Sequence, residues 1–165
     1  MRSAPDFKLN IVEARWPKDR DTVLGLFREY VDSLGVDLAF QGIESEFALL
    51  PGKYARPEGL VLVARVAVQG GTSAVGTVAF RPFAPGICEM KRLYVRPDQR
   101  GRRIGRQLCD ALLREALAAG YRRMLLDTGD WLAPALALYS ALGFLPIPGY
   151  YDNPIEGTIY MARDL

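Results

Sequence analysis

The stretch KRLYVRPDQRGRRIGRQL, residues 91–108, decides how the rest of the chain is read. It holds six arginines between Arg92 and Arg106, set around Gly101 and Gly105. Upstream, GICEMKRLYV (86–95) reads as a strand. Downstream, Ile104, Leu108, Leu112 and Ala119 form an apolar helical stripe opposite Arg103, Arg106, Asp110 and Arg114, and Gly120 supplies the stop. The run is thus a strand, a glycine loop and a helix start. Unpaired N–H groups and the positive end of the helix dipole favour an anion there. Glycines let backbone approach that anion, and arginines add forked donors worth about 1.5–3 kcal/mol per charge-assisted bond. Three readings follow: a phosphate cradle first, then a solvated basic helix start, then a nucleic-acid contact. Neither GxxxxGK[ST] nor GxGxxG is present, so the familiar nucleotide loops do not account for it.

The bulk numbers narrow the choice. The 165 residues suit a single domain spanning 1–165, with no repeat and no low-complexity linker. Half are hydrophobic and 24 % charged, ordinary globular values. A formal charge of only +2 means that the arginine run is local, which weighs against a nucleic-acid partner. The chain has no histidine, which removes Ser-His-Asp and Cys-His chemistry and most zinc sites, and no metal is expected. Cys88 and Cys109 are too few and wrongly spaced for a disulfide framework. They read as small buried residues in a reduced, cytoplasmic setting, not as nucleophiles. MRSAPDFKLN lacks an apolar signal core, and no run reaches the length of a membrane span, so no membrane partner is expected.

The remaining chain reads in the order β-α-α-β-β-β-α-β-α-β-β. A first strand lies in 7–16, and an amphipathic helix follows with Val23, Leu26, Phe27, Tyr30 and Leu34 at three- and four-residue steps up to Gly35. IESEFALL (43–50) is a short helix stopped by Pro51-Gly52. Strands at 59–68 and 73–83 flank Gly70-Gly71 and precede the 86–95 strand. YRRMLLDT (121–128) is a strand, APALALYSALGF (133–144) a helix, and the last 22 residues are two short strands around a loop rich in proline, glycine and tyrosine. Asp127 and Asp130 read as strand-end and helix-cap groups.

LYVRPDQRGRRIGRQL together with ALYSALGF resembles the GNAT superfamily of N-acetyltransferases. The family's acetyl-CoA loop, Q/R-x-x-G-x-G/A, is matched by Arg100, Gly101, Arg102, Arg103, Ile104 and Gly105, with Arg103 where glycine is usual. The resemblance covers nearly the whole chain, and VDLAFQGIESEFALLPGKYA and PGYYDNPIEGTIYM are similar to a bacterial subgroup of unknown substrate. It implies a mixed α/β (α+β) fold, a mostly antiparallel twisted sheet of about seven strands with helices on both faces. It also implies acetyl transfer from acetyl-CoA, as cosubstrate, to an amine of a small molecule or peptide. Backbone at Leu93, Tyr94 and Val95 would pair with the pantetheine arm as an added strand does. Many relatives pair as homodimers through their C-terminal strands.

Acetyl transfer needs a free amine lone pair, and deprotonating an amine of pKa about 10.4 at pH 7 costs roughly 4.6 kcal/mol. Without histidine, a partly desolvated carboxylate is the natural base. The resemblance points to Glu89, whose other reading is an ion pair with Lys91 or Arg92. It points to Tyr139 as the acid for the departing thiolate, a step uphill by about 2 kcal/mol, against a reading as core packing. The asparagine often found seven residues earlier is Leu132. Phe40, Gln41, Tyr150 and Tyr151 are the candidate acceptor contacts, and in an extended chain adjacent tyrosines would face opposite sides. Two alternatives stand beside the enzyme: a CoA-binding sensor without catalysis, and a nucleic-acid-binding module built on the 92–106 arginines.

Overall fold

The computed structural model describes residues 7–165. The reading of MRSAPD and the first six residues of the 1–165 domain span lie outside them. The element order is β1 (Leu9–Glu13), α1 (Arg20–Ser33), α2 (Ile43–Ala48), β2 (Leu60–Val68), β3 (Gly71–Ala84), β4 (Ile87–Val95), α3 (Ile104–Ala118), β5 (Arg123–Gly129), α4 (Ala133–Ala141), β6 (Leu145–Ile147) and β7 (Thr158–Asp164). This is the expected order, with ends shifted by a few residues. Short 3-10 turns at 39–41, 52–54 and 97–99 join it.

The strands form one mixed sheet in the order β1-β2-β3-β4-β5-β7-β6. Every neighbouring pair is antiparallel except β4 and β5. Strand alternation divides the apolar side chains between two layers. Leu60, Leu62, Val78, Phe80 and Met90 pack with Leu108 and Leu112 of α3 and Tyr139 of α4. Val61, Val63, Ala79 and Tyr94 face the other way, onto Val23, Leu26 and Phe27 of α1 and Phe47 of α2. Each fully buried Val, Leu, Phe or Met among them contributes about 1.5–3 kcal/mol.

Two expectations change here. The buried stripe of α3 is Ile104, Leu108, Cys109, Leu112, Leu113 and Ala116, while Ala119 caps the helix and is exposed. Ala119 lies past the last turn, where the chain leaves through Tyr121 N–H to the Ala116 carbonyl. Between β6 and β7 the chain bends at Tyr150 and Tyr151, so strand alternation does not separate their rings. Instead Tyr150, Tyr151 and Tyr160 pack edge to face, with centroids 5.2–5.4 Å apart.

The topology creates one gap. β4 and β5 pair only at Ile87–Arg123, Cys88–Met124 and Glu89–Leu125. β5 continues along β7, whereas β4 stays with β3 and bulges: Ala79 pairs Lys91 and Thr77 pairs Tyr94. The extra residue turns at Arg92, which takes a left-handed φ of 59°. Beyond Glu89 the two strands part.

Candidate active site at the parting strands

A cleft of about 610 Å³, including its mouth, fills the gap between β4 and β5. Met90, Leu93 and Leu126 line it from the sheet, Tyr139 from α4, Leu132 from just before that helix, and Tyr30 from α1. Burial holds the Tyr139 phenol well above its ordinary pKa, with Cys109, Tyr30 and Asp127 adding to the effect. It therefore remains a phenol through the neutral range. Tyr30 is raised for the same first reason, although Arg92 opposes the shift.

On the α1/α2 side of the sheet, charged groups run in a row from α2 to β5. Two Arg92 N–H groups, at Nη2 and Nε, donate to Glu46 Oε2 at 2.8 and 3.2 Å. Arg81 donates from Nη1 to Glu46 Oε1 at 3.2 Å and from Nε to Glu89 Oε1 at 3.1 Å. Lys91 Nζ then lies 3.5 Å from Glu89 Oε2 and 3.3 Å from Asp127 Oδ1. Tyr54 donates to Glu46 Oε1 at 2.7 Å and Tyr150 to Glu89 Oε2 at 2.6 Å. Tyr151 donates to Asp127 Oδ2 and accepts from Asn153 Nδ2 at 2.8 Å. Three cations and three carboxylates alternate, so the row is neutral overall. Burial acts to raise the Glu46 carboxyl, but Arg92, the Tyr54 hydroxyl and Arg81 outweigh it and hold it below the usual range. Burial also drives the Tyr150 phenol upward, with Glu89 reinforcing it.

The expected site residues divide by position. Tyr139, Leu93 and Gln41 line the cleft. Glu89 is buried on β4 beside it, reaching it by way of Lys91, and Tyr150 and Tyr151 hold the two carboxylates. Phe40 lies on the 39–41 turn, exposed and outside the lining. Tyr94 packs on Tyr30 at 6.3 Å, while the Val95 carbonyl accepts Arg100 Nε at 2.9 Å. Cys88 and Cys109 are buried free thiols, each pushed up to about 12 chiefly by that burial.

At the loop, Gly101 takes φ 82° and Arg103 φ 60° before α3 begins at Ile104. Arg103 thus adopts the left-handed turn that a glycine would provide. The Arg102 guanidinium lies 4.7 Å from the Phe7 ring, and its Nη1 donates to Gln99 Oε1 at 3.3 Å. The start of α3 lies beside the end of β4, since a Cβ on Gly105 would come 3.9 Å from Val95 Cγ2.

Sequence reasoning missed half of the row: Glu89, Lys91 and Arg92 were visible, but Arg81, Glu46 and the place of Asp127 were not. Arg92 pairs with Glu46 and not with Glu89, because its left-handed turn carries the side chain toward α2. Asp130 donates its backbone N–H to the Gly157 carbonyl, and α4 has no side-chain cap bond. The one available signal for Asp127 was a carboxylate in the otherwise apolar run MLLDT.

Residues 25–144 match the model of the acetyltransferase (GNAT) family. The chain is 42 % identical over 158 residues, 95 % of each chain, to an uncharacterized N-acetyltransferase of Schizosaccharomyces pombe. It is 35 % identical over 159 residues to an IAA acetyltransferase of Azospirillum brasilense, covering 94 % of this chain and 99 % of that one. A GNAT-family acetyltransferase of Staphylococcus aureus shares the fold with TM-score 0.75 at 18 % identity, over 95 % and 99 % of the two chains. The PaiA N-acetyltransferase of Thermoplasma acidophilum, solved with coenzyme A, does so at 0.71 and 17 %, over 96 % and 99 %. Sheet, loop and whole-length likeness agree: the chain belongs to the GNAT family of acetyltransferases and is an acyltransferase enzyme.

Proposed function

We propose that the protein transfers the acetyl group of acetyl-CoA directly to a primary amine bound in the β4–β5 cleft. The observation that carries this reading is the joint lining of one cleft by Tyr139, Leu93 and the Lys91–Asp127 end of a carboxylate row. Backbone at Leu93, Tyr94 and Val95 holds the pantetheine arm. The loop Arg100, Gly101, Arg102, Arg103, Ile104 and Gly105 holds the pyrophosphate, with N–H groups at the start of α3 and arginine charge supplying the attraction.

In the reaction the amine nitrogen bonds to the thioester carbon and the carbon–sulfur bond breaks. The ammonium gives one proton to the Glu89–Lys91–Asp127 end of the row, which meets the cleft at Asp127. The Tyr139 phenol protonates the leaving thiolate and is restored by the second nitrogen proton, shed as the amide forms. Glu89 accepts hydrogen bonds from Arg81 and Tyr150, so it acts through its neighbours and not by touching the amine.

The test measures release of free CoA thiol from acetyl-CoA in the presence of a panel of amines. Amine-dependent release is expected, and Tyr139→Phe should slow it at least about tenfold with CoA affinity unchanged. Binding of CoA with no transfer to any amine would establish a sensor in place of an enzyme. Arg103 and Leu132, which stand where the family usually has glycine and asparagine, are what such a sensor reading would rest on.

A further inference from the structure

Resting on that reading, we infer that the acceptor is an amine with one positive charge on an apolar skeleton, and that Asp127 is the carboxylate that receives it. The charged residues lining the cleft are Lys91, Arg92 and Asp127. Arg92 is held by Glu46 through two N–H groups, and Lys91 lies between Glu89 and Asp127. Glu46 and Glu89 themselves stay behind these cations and do not line the cleft. Asp127 is the carboxylate open to an entering ammonium. Its Oδ1 accepts Lys91 and its Oδ2 accepts Tyr151, two bonds of the roughly four that an ionised carboxylate can take.

The acceptor's body meets a different surface. Leu34, Val36 and Leu38, in the segment after α1, line the cleft together with Trp131 and Ile155. The Trp131 ring lies against the backbone of Gly129, where a Cβ would come within 2.5 Å of it. A second ammonium, as in a polyamine, would be desolvated against this wall, and Asp127 is the one carboxylate among the described lining residues. An aminoglycoside carries several ammoniums and meets the same desolvation. A carboxylate on the acceptor would have to break the existing pairs of Lys91 or Arg92, leaving Glu89 or Glu46 buried with an unmatched charge.

Charge balance also favours the reactive form. The row is neutral before the acceptor arrives, so an ammonium adds a net positive charge beside Lys91 and Arg92. Like charges and desolvation both favour the neutral amine. One proton leaves the ammonium to an Asp127 oxygen and passes on to solvent. The free amine then bonds to the thioester carbon as the C–S bond breaks and Tyr139 protonates the thiolate. The second nitrogen proton, shed as the amide forms, restores the Tyr139 phenol.

The experiment uses the purified protein with saturating acetyl-CoA and compares kcat/KM for 2-phenylethylamine, isoamylamine, phenylalanine, spermidine and kanamycin. Phenylethylamine and phenylalanine differ by one carboxylate, which isolates that group. The two monoamines should exceed the other three by at least about tenfold. Asp127→Asn should lower kcat/KM for phenylethylamine by about 10²-fold or more, with CoA affinity retained. In a second variant, Val36→Asp should raise the spermidine-to-phenylethylamine ratio by placing a carboxylate on the apolar wall. Preference for phenylalanine, spermidine or kanamycin, or full activity in Asp127→Asn, overturns the proposal while leaving acetyl transfer intact. Loss of thiol release with every amine overturns the underlying reading as well.

Discussion

Arg103 carries a conformation that its side chain does not favour. At φ 60° and ψ 22° it occupies the left-handed region, which costs an L-residue roughly 1–2 kcal/mol and glycine almost nothing. The family's usual glycine therefore reflects a backbone requirement that this chain meets with a strained arginine. The side chain is exposed, on the loop assigned to the pyrophosphate. Arg103→Gly should raise unfolding free energy by about 0.5–1 kcal/mol, the strain relief being partly offset by a freer unfolded chain. The same change should weaken CoA about tenfold through loss of one charge-assisted contact. Urea denaturation and calorimetric titration read the two effects separately. Arg92 is the second left-handed non-glycine residue, and there the buried pair with Glu46 holds the turn.

Glu46 links elements that are distant in the chain. It lies on the short helix α2 and bonds Arg92 of β4, Arg81 of β3 and the Tyr54 hydroxyl. Six helical residues have little stability of their own, so α2 depends on this anchor and on Phe47 packing near Phe27 at 6.0 Å. Glu46→Ala should destabilise the fold by about 3–5 kcal/mol, because Arg92 would be left buried and unpaired. The folded carboxyl sits below its ordinary value of 4.5, so its stabilisation is fully present above that pH and is lost as pH falls through the depressed value. Melting temperature should fall as the solution is acidified below about pH 4.5, and Glu46→Gln should flatten that fall. Both follow from thermal scans across a pH series. The β4 bulge is held by the same bonds, so the variant should also raise the KM for acetyl-CoA.

At the scale of the molecule, the cleft is a consequence of sheet topology. A parallel pair that holds for three residues and then parts opens the sheet where α3 begins and α4 supplies Tyr139. A ligand that bridges β4, the loop and α3 stabilises the folded state by mass action. With acetyl-CoA at about a hundredfold over its Kd the gain is about 2.7 kcal/mol, or about 5–11 °C in melting temperature for a chain of this size. Differential scanning fluorimetry checks it, and an unchanged melting temperature would count against cofactor binding. The element order and the glycine–arginine loop were legible in the sequence because periodicity, glycine stops and loop motifs are contiguous, and each acts within a few residues. The charge row was not legible, because its bonds join residues 35, 36 and 46 positions apart. Tyr150 and Tyr151 escaped for a related reason: alternation predicts facing only in a strand, and the chain bends there. The sequence alone thus determined the order of strands and helices and the strand, glycine loop and helix start around residues 86–119. Only the tertiary structure decided which carboxylate reaches the cleft, because sheet pairing and the Arg92 bulge bring Glu46, Glu89, Lys91 and Asp127 into one electrostatic neighbourhood.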